Sequence, residues 1–291
     1  PLLGTRGRLG GGPGEYRYFG GLEVHPDGTT LVVDQGKGAL IRFDPKGAGL
    51  PPRSFVEVGH AFNGVAINGD TVVIGEFERD QEGKRFHRLR WVSPDRDTVL
   101  LTNPVDGRPQ AVFRCEASTL TMNAPEPLLG SRIAWTAGTQ TIAAAIGSAY
   151  DVAIFRGGRL ERRLTRPVTP VPATLDHVRR RYPEGQALFQ GRRCRQGADK
   201  LAEQLGIAPT LPVIDWLRYT PNGDLWVGRF ALPGDALIAD VFAPDGTFRG
   251  ALAEVGYPVG FSSGGRFLGL VPDTTSGAYR LHAYRLDPAP W

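Results

Sequence analysis

A tight turn recurs along the chain and constrains its fold more than any other feature. Each copy has one residue, then proline, a polar residue and glycine, and lies between alternating β-branched or aromatic residues. The copies are His25-Pro26-Asp27-Gly28, Asp44-Pro45-Lys46-Gly47, Thr220-Pro221-Asn222-Gly223 and Ala243-Pro244-Asp245-Gly246. Proline presets φ at the second position, and glycine accepts the positive φ that follows. Because the prolines pair at spacings of 19 and 23 residues, the pattern predicts a repeat of hairpins.

The first repeat predicts a four-stranded antiparallel meander. Its strands are expected at residues 22–24, 30–34, 39–43 and 54–58, and the same order recurs in residues 213–255. About 40 residues in four short strands is the size of one blade of a β-propeller.

Weaker copies fill the rest of the chain. Residues 63–103 and 131–166 each predict four strands, with Gly157-Gly158 as a turn in the second, whereas residues 110–123 predict a short blade of two. Residues 257–288 predict three strands, and a strand at 2–6 is expected to complete that blade and close the ring. We therefore predict an all-β, six-bladed β-propeller, with five blades as the alternative, that occupies residues 1–291 as a single domain.

The first blade carries a family resemblance. Residues 11–16 read GGPGEY, residues 21–28 read GLEVHPDG, and LVVD and IRFD follow at 31–34 and 41–44. This order resembles the NHL repeat, and residues 219–248 share part of it. The resemblance covers about half of the chain and implies a bacterial six-bladed propeller, a fold used chiefly for binding and sometimes for lyase or lactonase chemistry. Fold alone does not decide between these functions.

Residues 167–212, here named the excursion, interrupt the β pattern. Thr174 is expected to cap a helix with Leu175, Val178 and Tyr182 on one face, and a second helix at 198–205 is closed by Gly206. This predicts a short helical insertion around residues 170–207. The densest positive charge of the chain lies here, in Arg179, Arg180, Arg181, Arg192, Arg193 and Arg195. The excursion is interpreted as a solvated lid, a docking surface for an acidic partner, or a lid over a catalytic pocket.

The chain has two cysteines, Cys115 in the short blade and Cys194 in the excursion. They either form a disulfide, which would tie these irregular regions together, or remain two buried thiols. A disulfide would indicate an oxidising compartment.

The chain begins at Pro1, as a processed precursor or a trimmed chain would, and no signal peptide is visible. We expect an extracytoplasmic location, periplasmic or secreted. No run of 18 apolar residues occurs, so no transmembrane segment is expected.

Catalytic motifs are nearly absent from the sequence. Residues 260–264 match G-x-S-x-G in letters, but they fall in a predicted β-hairpin rather than the strand–elbow–helix that the motif requires. No P-loop, H-E-x-x-H or C-x-x-C occurs, and none of the five histidines has metal-ligand spacing. The sequence therefore favours binding over turnover.

The loops expected on one face of the blades supply a candidate binding face, because loops on a rigid scaffold commonly carry function. Its residues are Tyr16, Tyr18, Asp34, Lys37, His60, Asn63, Glu76, Asp215, Trp216, Arg229, Tyr257 and Asp273. Among them Tyr16, Tyr18 and Trp216 are expected to be aromatic anchors.

Two classes of function follow. The first is a non-catalytic binding or scaffold propeller that holds a protein partner through this face and the basic excursion. The second is a metal-dependent lactonase, hydrolase or lyase at the central axis, where Glu76, Asn63, Asp34 and Asp215 would hold one divalent cation such as Ca²⁺. The first class needs no cofactor.

Thirty of the 34 basic residues are arginine, but they are scattered without an aromatic-interleaved stripe, so no nucleic-acid partner is expected. The sequence does not indicate an oligomeric state.

Overall fold

The computed structural model describes most of the chain. The described residues are 7–12, 14–17, 19–24, 28–34, 36–54, 60–68, 71–93, 95–105, 110–115, 118–123, 126–138, 140–182, 186–189, 192–262, 265–272 and 279–285. Backbone contacts divide the chain into a first compact unit of residues 1–104, 137–141 and 155–161 and a second of residues 105–136, 142–154 and 162–291. The predicted closing strand, residues 2–6, lies outside the described residues. Ring closure and a single domain over 1–291 stay predictions.

The first unit begins with a small parallel pair and the first predicted meander. The pair is β1 (Arg8–Leu9) with β2 (Glu15–Tyr16). The meander consists of β3 (Phe19–Val24), β4 (Thr30–Asp34), β5 (Ala39–Phe43) and β6 (Gly49–Ser54). The predicted fourth strand, 54–58, lies outside the described residues except for its first residue; β6 begins earlier, because the tight turn after Phe43 pairs that residue directly with Gly49. Pro51 and Pro52 are tolerated in β6, which is the edge strand of its sheet.

A second four-stranded sheet completes the larger part of this unit, as predicted. Its strands are β7 (His60–Asn68), β8 (Thr71–Arg79), β9 (Arg85–Val92) and β10 (Asp97–Val105). Alternate residues of β4 and β8 are buried together with Leu40 in one apolar cluster, Leu31, Val33, Val72 and Ile74.

The short blade and the next meander also form where the sequence predicts them. The short blade contributes β11 (Gln110–Cys115) and β12 (Thr119–Asn123). The meander is β13 (Ile133–Ala137), β14 (Thr141–Ile146), β15 (Asp151–Arg156) and β16 (Arg159–Thr165). Gly157 and Gly158 join its last two strands with φ of 56° and 72°, values that favour glycine.

The excursion contains the two predicted helices and a β-hairpin that was not predicted. Its elements are α1 (Leu175–Arg181), β17 (Gln186–Phe189), β18 (Arg192–Arg195) and α2 (Ala198–Leu205). The side chain of Thr174 caps α1, and Gly206 ends α2 with φ of 71°. Because β18 pairs with β11, the hairpin completes the short blade in the order β12-β11-β18-β17.

The last two sheets follow the predicted order. They are β19 (Ile214–Tyr219), β20 (Leu225–Arg229), β21 (Ile238–Phe242) and β22 (Phe248–Ala253), then β23 (Tyr257–Ser262), β24 (Arg266–Pro272) and β25 (Tyr279–Arg285). Each is an antiparallel meander, of four and three strands among the described residues.

The recurrent turns have the geometry that their residues predict. The backbone N–H of Gly47, Gly223 and Gly246 donates to the carbonyl three residues earlier at 2.8–2.9 Å. All three glycines have φ of 85–90°. Repeated antiparallel meanders with a short helical insertion make this an all-β fold of the β-propeller class, which confirms the predicted fold class. The number of blades stays a prediction.

Candidate functional site

Two residues of the predicted binding face in the first unit anchor their own loops. The carboxylate of Asp34 is buried and accepts hydrogen bonds from the backbone N–H groups of Arg17 (2.8 Å) and Lys37 (3.2 Å). The ammonium of Lys37 donates to the carbonyls of Gly12 (2.9 Å) and Glu15 (2.6 Å). These contacts hold the glycine-rich segment before β3 in place, so both side chains stabilise the fold.

The other predicted residues of this unit are also partnered, or their side chains are not described. Glu76 is 1% exposed and lies 3.3 Å from the Arg90 guanidinium, and burial raises the pKa of its carboxyl despite this cation. Tyr16 packs against the apolar cluster of β4 and β5. His60 and Asn63 lie in β7, and nothing is described of their side chains. Tyr18 lies outside the described residues, as does Asp273 of the second unit.

In the second unit, Trp216, Arg229 and Tyr257 contribute to the interior rather than to an open face. Trp216 is a core residue and not the exposed aromatic anchor that its position in the sequence predicts, because β19 turns the ring onto the backbone of Gly228. Tyr257 packs edge-on against it with ring centroids 5.6 Å apart. Arg229 donates two hydrogen bonds, of 2.8 and 3.0 Å, to the buried carboxylate of Asp240.

The arginines predicted as a docking surface separate into three environments. Arg179 binds Asp199 at 2.8 Å and Asp176 at 3.0 Å, and Arg180 binds Asp235 at 2.5 Å. Local carboxylates therefore offset the charge of the first two arginines of the α1 triplet. Arg181 instead lines a pocket.

The remaining predicted docking arginines were assigned to a helical surface and lie in strand β18. They are Arg192, Arg193 and Arg195, and of these the Arg195 side chain is exposed. The strand forms because Cys194 faces Cys115 across the β11–β18 ladder, where a disulfide joins them with an S–S distance of 2.03 Å.

The second unit contains a pocket of about 300 Å³ between the short blade and the excursion helices. We name it the Asp215 pocket. Its apolar wall comes mainly from the cluster that packs α1 and α2 onto β11, and four charged residues interrupt that wall. The lining residues are Phe113, Glu126, Pro127, Leu128, Leu129, Gly130, Arg132, Arg181, Tyr182, Leu201, Leu205, Pro212, Ile214, Asp215 and Phe230.

A β-bulge aims Asp215 into this pocket. In the β19–β20 ladder, Ile214 pairs with Arg229 and Trp216 pairs with Gly228, so Asp215 is the extra residue between them. Bulges of this kind redirect a side chain and are common beside binding sites. The side chain is exposed to the pocket, and among the described residues it forms no hydrogen bond or ion pair. Neighbouring protein desolvates its carboxyl and raises the pKa, whereas the positive charges of Arg181 and Arg132 act in the opposite direction.

Glu126 supplies a second carboxylate from the segment after β12. It is 9% exposed, and its Oε1 accepts a hydrogen bond from Arg132, whereas no hydrogen-bond donor in the described part of the chain reaches Oε2. Burial raises the pKa of this carboxyl, which the Arg132 charge partly opposes. A buried oxygen without a donor is costly, and this atom is covered by protein rather than open to the pocket.

Backbone contacts position this segment. Leu128 bridges to Ile207 just after α2, with its N–H donating to the Gly206 carbonyl at 3.1 Å. Leu129 has a φ of 60°, an unusual value for a residue with a β-carbon. The end of α2 therefore determines where Glu126 lies, although the two are far apart in sequence.

Sequence reasoning found part of this site. Asp215 and Arg181 were predicted as site residues, but in two separate surfaces, and the pocket brings them together. Glu126 and Arg132 were missed. The only signal for Glu126 is a carboxylate between two prolines, which does not distinguish a site from an ordinary loop.

The described ranges contain neither a cluster of metal ligands nor a membrane-spanning helix. There, no three His, Cys, Asp or Glu side chains come close enough together to hold a metal ion. Neither helix found in these ranges has the length and apolar character needed to cross a bilayer.

Comparison with known proteins adds similarity at the level of the fold. No protein-family model and no curated protein matches the chain, so the NHL resemblance stays a prediction. A DUF4221 family member from Bacteroides vulgatus has 7% identity and a TM-score of 0.48, over 95% of this chain and 81% of that one. Virginiamycin B lyase from Staphylococcus aureus has 10% identity and a TM-score of 0.34, over 94% and 70%. Regucalcin from Agrobacterium tumefaciens has 11% identity and a TM-score of 0.25, over 88% and 82%. At these values the similarities carry no argument about function.

Proposed function

We propose that the protein is a non-catalytic binding protein of the β-propeller class whose binding site is the Asp215 pocket. The observation that carries this proposal is the convergence of two carboxylates and two arginines on an otherwise apolar pocket. Apolar walls with a few polar groups that fix orientation are typical of ligand sites. The bound partner contacts the excursion, whose helices form one side of the pocket.

Binding is favoured over turnover by the chemistry of the lining. The described lining residues include no serine, threonine, cysteine, lysine or histidine, so carboxylates and Tyr182 are the only side chains there of a kind that acts as a nucleophile in enzymes. Its polar groups instead suit recognition, because guanidinium and carboxylate groups form directional charge-assisted hydrogen bonds. Arg179 and Arg180 contribute less to recognition than the sequence predicts, since each already has an acidic partner within the protein.

An extracytoplasmic location is part of the proposal. The disulfide between Cys115 and Cys194 supports it, because such bonds persist in oxidising compartments. The bond lies next to the pocket in the fold, since β11 carries both Cys115 and the pocket residue Phe113.

Ligand-observed NMR with a set of small cationic, anionic, zwitterionic and neutral compounds tests the proposal. Asp215→Phe fills the pocket, and Glu203→Phe places the same side chain on the exposed face of α2 as a matched control. We expect saturation transfer to at least one compound class with the wild type and the control, and its loss with Asp215→Phe. If no class shows a signal that Asp215→Phe removes, the pocket is not the binding site. Hydrolysis of an ester or lactone that Asp215→Phe abolishes would instead support an enzyme.

A further inference from the structure

We propose that the Asp215 pocket binds a zwitterion with an apolar body, the chemical class of an amino acid with an apolar side chain. This inference rests on the proposed function and specifies its ligand. It follows from three features of the pocket: an exposed carboxylate, Asp215, and a cation, Arg181, that have no ion-pair partner among the described residues, and an apolar wall.

Asp215 provides the position for a cationic group. Its side chain lines the pocket, is exposed there, and forms no hydrogen bond or ion pair among the described residues. An ammonium group supplies three donors and a positive charge, so it can pair with this carboxylate. A neutral donor would satisfy a hydrogen bond but not the charge.

Arg181 provides the position for an anionic group. It is the last residue of α1 and lines the pocket, and no described carboxylate lies within ion-pair distance of it, unlike Arg179 and Arg180. Its positive charge favours the ionised form of Asp215 and so lowers the pKa of that carboxyl. A planar guanidinium binds a carboxylate through two parallel hydrogen bonds, which fixes the orientation of the ligand.

The balance of charge distinguishes a zwitterion from a simple ion. The pocket carries two arginines and two carboxylates, so its formal charge is zero. A ligand with a single charge would satisfy one side and leave the other desolvated and unpaired, which is unfavourable. A ligand with both charges pairs with both sides.

The apolar wall and the volume restrict the body of the ligand. Phe113, Leu128, Leu201, Leu205 and Phe230 supply apolar surface, and about 300 Å³ lies at the lower end of the range for ligand pockets. This suits a single aliphatic or aromatic side chain better than an oligomer. Phenylalanine is a suitable probe because its simple analogues each remove one charge.

Isothermal titration calorimetry at pH 7 with four probes tests the inference. The probes are L-phenylalanine, 2-phenylethylamine without the carboxylate, 3-phenylpropionate without the ammonium, and neutral 3-phenylpropionamide. We expect phenylalanine to bind about tenfold or more tightly than either singly charged analogue, because each loses a charge-assisted contact. The neutral amide should bind most weakly.

Two variants assign each charge of the ligand to its side of the pocket. Arg181→Gln should abolish the advantage of phenylalanine over 2-phenylethylamine, and Asp215→Asn its advantage over 3-phenylpropionate. Arg179→Gln lies on the same helix outside the pocket and should leave all four affinities unchanged. The side chains of Asp215 and Arg181 are both exposed, so we expect both variants to fold.

The outcomes separate this inference from the proposed function. Equal affinity for phenylalanine and the neutral amide would overturn the inference that the ligand is a zwitterion. So would an Arg181→Gln variant that still prefers phenylalanine over 2-phenylethylamine as strongly as the wild type does. The inference of a zwitterionic ligand is also overturned if none of the four probes binds while another class of compound binds and loses that binding in Asp215→Phe. In that case the proposed function would stand. If no compound of either set binds the pocket, both fall.

Discussion

Replacing Asp240 with asparagine tests whether one buried carboxylate holds together three side chains of the second unit. Asp240 is 0% exposed in β21. Its oxygens accept two hydrogen bonds from Arg229, of 2.8 and 3.0 Å, and one from the Tyr150 hydroxyl at 2.6 Å. Arg166 lies 2.8 Å away as a second cation. Asparagine keeps the shape of the side chain but removes the charge and turns two acceptor sites into donors.

The contacts set the expected size of the effect. Hydrogen bonds to a charged group contribute about 1.5–3 kcal/mol each, and removing one partner of a buried ion pair costs about 3–5 kcal/mol. Arg229 and Arg166 are 39% and 32% exposed, so their guanidinium groups can turn toward water once the charge is gone. We therefore take the lower end of the range for a broken buried ion pair and expect Asp240→Asn to reduce the free energy of unfolding by about 3 kcal/mol.

Urea denaturation measures this difference. The midpoint should fall while the slope stays unchanged, since the surface exposed on unfolding is the same. Asp245→Asn, on an exposed turn between β21 and β22, serves as the matched control and should leave the midpoint almost unchanged. A loss below about 1 kcal/mol for Asp240→Asn would refute the reasoning, because a neutral hydrogen-bond exchange would then suffice.

The pH dependence gives an independent check. Burial alone would raise the pKa of Asp240, but the hydrogen bonds from Arg229 and Tyr150 outweigh it and hold the pKa below its ordinary value. The stabilisation is therefore fully present above the pKa of the unfolded chain and is lost as the pH falls through the lower folded-state pKa. The difference between wild type and Asp240→Asn should close over that range.

Three further predictions concern the disulfide, a close packing contact and the pocket. Reducing the bond between Cys115 and Cys194, which are 79 residues apart, should lower the free energy of unfolding by about 4 kcal/mol, measured in urea with and without reductant. Gly228→Ala should cost about 1–3 kcal/mol in the same assay, because an added β-carbon would lie 2.0 Å from the Trp216 ring. Affinity for phenylalanine should weaken in calorimetry as the pH falls through the raised pKa of Asp215, because the protonated carboxyl no longer pairs with an ammonium.

Each of these three has an outcome that contradicts it. Gly197→Ala is the control for the glycine substitution, since a β-carbon there meets nothing within 4 Å, and an equal cost at both sites would remove the packing argument. Equal stability in reduced and oxidised protein would show that the bond does not constrain the unfolded chain. The same pH dependence in Asp215→Asn would assign the titration to another group.

The turns and the strands beside them could be predicted because their causes are local. Glycine at 47, 223 and 246 accepts the positive φ of each turn, and the alternating residues on either side bury one face of a strand. Strand β6, which begins earlier than predicted, shows the limit of prediction from local residues. Pro51 and Pro52 argue against a strand by propensity, yet the turn geometry and an edge position permit one.

The hairpin of β17 and β18 could not be predicted from its own residues. Each strand has four residues, and β18 is mostly arginine, so no apolar alternation indicates a strand. It forms because the two-stranded β11–β12 sheet offers a free edge and Cys194 faces Cys115 there. The positions of the two cysteines in irregular regions were the one sequence signal for this long-range contact.

The all-β class, the turns and the helices of the excursion could be predicted from the sequence, because each depends on residues within a few positions of one another. Long-range packing establishes that Arg179 and Arg180 are neutralised, that Trp216 is buried, and that Glu126 and Arg132 join Arg181 and Asp215 in one pocket. These outcomes depend on contacts between residues that are distant in the chain. Burial, charge pairing and desolvation are properties of that packed arrangement, and no local pattern of residues encodes them.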